Sequence, residues 1–224
     1  MPLPGEVEIC ADVPAAFSAR VLDTFQSRPD DSFSMALSGG STARRCYECL
    51  ATEAVTAIDW WKVDFYWGDE RCVPHDDPDS NYRLAREALL DRVGAANATY
   101  LMRCADGPDD YQLRLGALGQ LDLIHLGVGP DGHTASLFPQ SAALDADPGR
   151  LVTLNDDPLA NNPHRRMTLT FSGISRGRFV LVTAEGEAKA EAIGRIAAGE
   201  DLPAGRITAE RVVWLLDKAA AAQL

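Results

Sequence analysis

The stretch LDLIHLGVGPDGHTASLFP, residues 121–139, decides how this chain is read. LDLIHLGV at 121–128 is an apolar run of strand length, of the kind expected where both faces of a parallel sheet are covered. It gives way to a Gly-rich loop that delivers Asp131, His133, Thr134 and Ser136 into a short turn closed by Pro139. Polar side chains placed directly after a buried strand mark either a site or a costly turn.

Outward from this segment, strand-like and helical patterns alternate. VEIC at 7–10 precedes a helix over 14–26, FSMAL at 33–37 precedes a helix opened by Ser41 or Thr42, and VDFYW at 63–67 precedes a helix over about 82–92. After the central segment come MTLTF at 167–171, FVLVT at 179–183, a helix over about 186–198 and VVWLL at 212–216. Short apolar strands interleaved with helices predict an α/β fold: a doubly wound, mostly parallel sheet with helices on both faces. With 224 residues and no linker, a single domain over 1–224 is expected. Ligands of such sheets sit outside the carboxyl ends of the strands. The polar segments to inspect are therefore SGGST at 38–42, GDER at 68–71, GPDGHT at 129–134 and EGEAK at 185–189.

Gly127-x-Gly129-x-x-Gly132 has the spacing of a dinucleotide fingerprint, but the surrounding residues oppose that reading. Pro130 and Asp131 lie inside the motif, so a carboxylate would face the diphosphate. Asp145 and Asp147 fall in a DADPG loop instead of ending a strand, and the motif lies past the middle of the chain.

Composition narrows the function classes. Apolar residues at 46% and charged residues at 24% are ordinary globular usage, which excludes disorder as the main state. A net charge of −12 argues against nucleic acid as a partner, since neutralising phosphates needs a basic face. A few local cations would still suffice for a phosphorylated small molecule. Cysteines at 10, 46, 49, 72 and 104 form an odd set without framework spacing, which predicts free thiols in a reducing compartment. Cys46-x-x-Cys49 lies in a helical pattern without a second pair or a flanking His, and reads as packing. The N-terminal residues lack a signal-peptide pattern and no apolar run reaches roughly 18 residues. The expectation is a cytoplasmic chain with no membrane association.

Candidate functional residues cluster at the strand ends. Gly39, Gly40, Ser41 and Thr42 join a strand to a helix, where backbone N–H groups and the helix dipole favour an anion and glycines let it approach. A plain N-cap would need only one of the two hydroxyls. The lysine of a P-loop is absent, which disfavours ATP. Asp69, Glu70 and Arg71 form either a surface ion-pair cluster or a site at the mouth of the VDFYW strand. Asp79 or Ser80 serves as a helix cap, leaving Asn81 less explained. His133 follows a Gly-rich turn instead of lying on an apolar helix face, and Asp131, two residues before, can fix its tautomer or stabilise its cation. His125 points into a layer interface, while His75 and His164 lie in polar loops. Arg165, Arg166 and Lys189 are the cations placed at a phosphate; Lys189 opposes the dipole of the helix it starts, which invites another reason for it. The Asp-rich stretches HDDPDS, DGPDD and NDDP read as solvated turns.

Together these motifs resemble the 6-phosphogluconolactonase family. The resemblance rests on GGST at 39–42, the WGDERCVP segment at 67–74 with SNY at 80–82, GVGPDGHTASLFP at 127–139, RMTLT at 166–170 and GEAKA at 186–190. It spans residues 33–217, and the 127–139 loop is its most specific part. One departure is the short stretch between Arg103 and Leu121, where the family usually has a longer helix. The resemblance implies a Rossmann-like fold and hydrolysis of 6-phosphoglucono-δ-lactone to 6-phosphogluconate in the oxidative pentose phosphate pathway. It further implies no cofactor. No metal ligand set is assigned, the occupancy of the pocket by a metal being left open, and since no exposed coiled coil or long apolar helix demands a partner, a monomer with no obligate protein partner is expected. By analogy, His133 is the general base on water, and Asp131 orients it. Arg71 and backbone N–H groups of the Gly-rich loop stabilise the oxyanion, and Asp69 orders Arg71 or the substrate hydroxyls. Gly39, Gly40, Ser41, Thr42, Asn81, Gly129, Arg166 and Lys189 bind substrate, with the GGST loop, Arg166 and Lys189 holding the phosphate.

Two rival readings share these motifs. Glucosamine-6-phosphate deaminase resembles this family in the phosphate loop and the histidine turn, but its loop continues with Asn-Glu-Pro, whose glutamate helps open the sugar ring. Here those positions are Leu137, Phe138 and Pro139, and Phe138 cannot transfer protons. A non-catalytic sugar-phosphate sensor would lack the His or Asp of the loop, and both are present. A covalent serine mechanism is disfavoured because no Gly-x-Ser-x-Gly elbow occurs.

Overall fold

The computed structural model describes residues 3–224. Seven parallel strands form the main sheet: β1 (Glu6–Ile9), β2 (Phe33–Leu37), β3 (Val63–Trp67), β5 (Ala98–Thr99), β6 (Leu121–Gly127), β9 (Gly177–Ala184) and β10 (Arg211–Leu216). Their order is β1-β10-β9-β6-β2-β3-β5. A small antiparallel sheet, ordered β4-β8-β7, is built from β4 (Asp69–Arg71), β7 (Val152–Asn155) and β8 (Arg166–Leu169).

The central strands are buried because both faces are covered. FSMAL is buried at every position, and β6 is buried at every position but Asp122 and Gly127, with His125 as its one polar residue in the core. The helices are α1 (Val13–Gln26), α2 (Ser41–Glu53), α3 (Asn81–Ala85), α4 (Asp109–Leu118), α5 (Phe171–Ile174) and α6 (Ala190–Ala197). Asp12 caps α1 by accepting a hydrogen bond from the Ala15 amide at 2.9 Å, and Phe17, Val21 and Phe25 form its buried stripe at four-residue spacing. α1 packs on α2, and α2 on α3. The connection β2–α2–β3 steps across the sheet one way and β9–α6–β10 the other. Right-handed crossovers therefore put α2 and α6 on opposite faces, which is the doubly wound arrangement.

This order creates a reversal between β2 and β6. From β2 the chain advances through β3 to β5, whereas from β6 it advances through β9 to β10. Loops leaving the carboxyl ends of these two neighbours diverge and open a crevice. The GGST loop follows β2 and the Gly-rich histidine loop follows β6, so two distant segments meet there.

Several local expectations need correction. MTLTF does not join the main sheet: residues 166–169 pair antiparallel with β4 and β7, and Thr170 caps α5 through its hydroxyl. GDER is not a loop, because Asp69–Arg71 pairs with β8. The helix expected over 82–92 is α3 followed by a π turn at Arg86–Leu90, where the Asp91 amide reaches back to the Arg86 carbonyl. The stretch 104–118 holds α4, which packs against β7.

The free-thiol expectation also fails in part. Cys72, just past β4, is disulfide-bonded to Cys104, with Cα atoms 5.3 Å apart, while Cys10, Cys46 and Cys49 are free. The bond closes a separation of 32 residues and depends on how β4 docks, which no spacing rule encodes. Among the described residues, no helix is long and apolar enough to cross a membrane. Thiol titration of the denatured, unreduced protein is expected to find three reactive cysteines, with all five of the sequence appearing after reduction.

Candidate active site

The loop after β6 is stitched into one shape. The Gly129 amide donates to the His133 carbonyl at 2.8 Å, the Gly132 amide to the Gly129 carbonyl at 3.0 Å, and the Thr134 hydroxyl to the Gly127 carbonyl at 2.9 Å. Gly132 turns the chain with φ +83°, and Ala135 takes φ +48°, a conformation that costs a non-glycine residue energy. Within this frame Asp131 Oδ1 lies 2.5 Å from His133 Nδ1 and 3.2 Å from the His133 amide. Burial works against the Asp131 carboxylate, but the bonds and charge of His133 outweigh it and hold the carboxyl below its usual range. Gly129 makes this pair possible. A β-carbon there would lie 2.1 Å from His133 Nδ1 and 2.6 Å from Asp131 Oδ1.

The amides of Gly129, Gly132 and His133 are thus consumed inside the loop. These three amides are therefore not free to serve as oxyanion donors, whereas Arg71 lines the same cleft as His133. The Arg71 guanidinium donates to the Asp79 carbonyl through Nη1, while its buried Nε has no partner. Asp69 makes no direct hydrogen bond or ion pair with Arg71 among the described residues. Its Oδ2 accepts from the Ser136 hydroxyl at 2.5 Å and its Oδ1 from Asn81 Nδ2 at 3.1 Å. Asn81 is fully buried, its own Oδ1 unpartnered, and a β-carbon at Gly39 would fall 1.8 Å from that oxygen. The glycines at 39 and 129 therefore serve side chains packed against them as well as the turns they form.

Glu70 belongs to the scaffold. It is buried and accepts the amides of Arg71, Asn81 and Tyr82 and the Ser80 hydroxyl, so it ties β4 to the start of α3, where Ser80 caps the helix. Burial raises its carboxyl above the usual range against the pull of these donors.

Two adjoining cavities meet at Gly39, Gly40, Gly127, Val128 and Lys189. One, of about 170 Å³, is lined by His133, Asp69, Arg71, Asn81, Ser136, Phe138 and Arg166 among others. The other, of about 160 Å³, is lined by the GGST residues with His125 and Thr183. No side chain caps α2: its N-cap is Gly40 at φ +94°, and neither Ser41 nor Thr42 takes that place. The first turn of the helix thus faces the second cavity with its amides uncapped. A roomier cleft of about 500 Å³ lies elsewhere, past β5, without any of these groups.

Most arginines of this acidic chain pair with carboxylates, but Arg71, Arg166 and Lys189 form no ion pair among the described residues. Arg166 donates only to the carbonyls of Pro163 and His164, and its guanidinium lies 6.0 Å from the Phe138 ring centre. It stands directly opposite Arg71 in the β4–β8 ladder, a like-charge placement that is unfavourable without an anion between. Burial lowers both Arg166 and Lys189 from their ordinary values. Arg165 lies outside the cluster, pairing with Asp156 at the surface, and His164 pairs with Asp79.

Two contributors, Thr168 and Asn155, escaped the sequence reading, and the role of Ser136, singled out there only as a polar residue of the loop, emerges from the structure. Ser136 anchors Asp69. Thr168, on β8, accepts the Ser136 amide at 3.1 Å, and Asn155, on β7, donates to the Ser136 carbonyl at 2.7 Å. These bonds cross from the histidine loop to the small sheet, so only the docking of β7 and β8 reveals them. Phe138 packs edge-on against His133 with ring centres 5.1 Å apart. Among the described residues, no three His, Cys, Asp or Glu side chains stand together as metal ligands.

Fold and site define a doubly wound α/β protein with a polar, cation-bearing crevice at the strand ends, and the sequence places the chain in a family. Residues 5–214 match the profile of the glucosamine-6-phosphate isomerases/6-phosphogluconolactonase family, and the chain belongs to that family. It is 38% identical over 209 residues to the 6-phosphogluconolactonase of Synechocystis sp., covering 85% of this chain and 84% of that one. The crystal structure of 6-phosphogluconolactonase from Thermotoga maritima superposes with a TM-score of 0.83 at 29% identity, covering 95% of this chain and 99% of that one. A monomeric glucosamine-6-phosphate deaminase aligns with a TM-score of 0.85 at 20% identity, over 98% and 100% of the two chains, a likeness of fold alone.

Gly129→Ala is expected to lower kcat at least ~100-fold with an unchanged circular dichroism spectrum, because the added methyl must push His133 off Asp131. The lowered Asp131 carboxyl stabilises the fold above the ~3.9 of a free aspartate, and that contribution is lost as pH falls through the lowered value. Urea midpoints of wild type and D131N should differ near neutrality and converge well below about pH 4.

Proposed function

We infer that this chain is a 6-phosphogluconolactonase, hydrolysing 6-phosphoglucono-δ-lactone to 6-phosphogluconate in the oxidative pentose phosphate pathway. The observation that carries the reading is the Asp131–His133 pair opening on the same cleft as three cations without carboxylate partners. A base beside an anion site is what hydrolysis of a phosphorylated ester needs.

In this reading the phosphate sits at the uncapped start of α2 with Lys189 beside it, and the lactone lies in the adjoining lobe. Arg166, opposite Arg71, extends the positive field toward the anion. Because Nδ1 is engaged by Asp131, Nε2 of His133 is the free ring nitrogen and takes a proton from the attacking water. The new C–O bond places negative charge on the former carbonyl oxygen, which Arg71 stabilises; one such donor typically contributes about 2.7–4 kcal/mol. As the ring C–O bond breaks, His133 returns the proton to the leaving oxygen, and the acid formed ionises to the carboxylate. Asp131 stays ionised and holds the imidazolium. Asp69, fixed by Ser136 and Asn81, faces the sugar hydroxyls as an acceptor. The lactone hydrolyses unaided, so one base with positioning meets a modest barrier.

Phe138 argues against deamination. It occupies the position where the deaminase pattern has a glutamate, and it packs on the His133 ring without any group to move a proton.

A pH-stat assay of fresh 6-phosphogluconolactone should show acid release well above the spontaneous rate, and background-level release would overturn the assignment. His133→Ala should lose about 10²–10⁴ in kcat while retaining 6-phosphogluconate binding. Ammonia release from glucosamine 6-phosphate should be absent.

A further inference from the structure

The reaction as derived leaves a buried polar relay unexplained. His125 on β6 and Tyr47 on α2 have no exposed surface, and Thr183 on β9 is almost as deep. Thr183 Oγ1 lies 2.9 Å from His125 Nε2, and His125 Nδ1 lies 2.9 Å from the Tyr47 hydroxyl. That hydroxyl in turn accepts the Ser38 amide at 2.7 Å and reaches the Ser38 carbonyl at 3.3 Å. Ser38 is the first residue past β2 and leads into the Gly39–Gly40 turn, so both its backbone groups are held by one side-chain oxygen. Phe17 packs over the His125 ring with centres 4.4 Å apart.

Burying a histidine and a phenol in an apolar core is costly unless every polar atom is satisfied, and apolar residues could fill the same space. Burial holds His125 down to about 3, so the ring is neutral, with one donor and one acceptor nitrogen. Such a ring orients the Tyr47 hydroxyl instead of carrying charge. Thr183 and His125 also line the cavity at the start of α2, beneath the loop that Tyr47 pins. A second tyrosine gives an internal comparison. Tyr111 accepts the Trp67 amide at 2.7 Å and donates to the Trp67 carbonyl at 3.1 Å, pinning the end of β3, where no helix N-terminus follows directly.

We propose that His125 and Tyr47 are positioning residues for phosphate recognition: the Thr183–His125–Tyr47 relay fixes Ser38 and thereby the angle at which the Gly39–Gly40 turn presents the first-turn amides of α2 to a phosphomonoester. The inference rests on the reading of this cavity as the phosphate end of the lactonase site. The relay acts on discrimination between phosphorylated and unphosphorylated ligands and leaves the chemistry at His133 untouched.

The experiment compares 6-phosphoglucono-δ-lactone with glucono-δ-lactone, which lacks the phosphate. In Y47F and H125L the ratio of the two kcat/KM values is expected to fall about fivefold to tenfold, through KM of the phosphorylated substrate, with its kcat held within about twofold. H125N, whose amide can take the place of Nδ1 toward Tyr47, should restore most of the ratio. Y111F, which loses the same pair of bonds at the neighbouring strand end, should leave the ratio unchanged. Titration calorimetry with 6-phosphogluconate against gluconate reads the same discrimination without turnover. Absence of lactonase activity in the wild type would therefore count against the functional reading and leave this comparison standing. An unchanged ratio in Y47F, or equal losses for both lactones, overturns the proposal; should H125L fail to fold, Y47F, lacking a single oxygen, decides alone.

Discussion

The site depends on a constraint of chain connectivity: β2 and β6 lie side by side in one parallel sheet while the chain leaves them in opposite directions. Two loops that diverge from neighbouring strand ends leave a crevice that neither can fill. The loop after β2 opens directly into α2 and brings uncapped amides. The loop after β6 brings Asp131 and His133 on a turn braced by its own hydrogen bonds. Had the order not reversed at this point, crossovers would have covered one of the two.

A second physical theme is the distribution of charge. The chain carries a net charge of −12, yet the crevice gathers Arg71, Arg166 and Lys189 without carboxylate partners of their own. Two of these arginines face each other across an antiparallel ladder, and the third cation sits beside a helix start whose dipole opposes it. Each placement disfavours the empty pocket and favours an anion. The acidic surface away from the crevice also keeps the field of the site local, since screened surface charges act over about 10 Å at ordinary ionic strength.

Much of this is legible in the amino-acid sequence. Buried strands written as continuous apolar runs, helices with four-residue stripes, and polar residues placed just after strands are sufficient for the main parallel sheet and for the two glycine-rich loops that line the cleft, though not for the small antiparallel sheet beside them. His133 and Asp131 stood out because their separation of two residues, on a turn, leaves few ways to avoid contact. Other features had no local signal. Ser136 holds Asp69 across 67 residues of chain, the Cys72–Cys104 bond joins segments 32 apart, and Glu70 looks like any surface carboxylate until three amides are seen to converge on it. The strand 166–169 reads like a member of the main sheet because its burial pattern is the same; only its partners differ.

The sequence by itself determined the type of the main-sheet strands from β1 to β10 that it marked with apolar runs and of helices α1, α2 and α6 between them, the position of the glycine-rich loops at the strand ends, and the chemistry available there, because these follow from periodicity, backbone freedom of glycine and side-chain type. It also places Phe138, a side chain with no proton to transfer, beside the histidine of the loop. Tertiary structure alone decided which amides are free and which are spent inside the loop, which carboxylate is an anchor and which faces the cleft, and why Gly39 and Gly129 have no side chain. The reason is physical: hydrogen-bond partners and excluded volume are properties of residues brought together from distant parts of the chain, and local propensity carries no record of them.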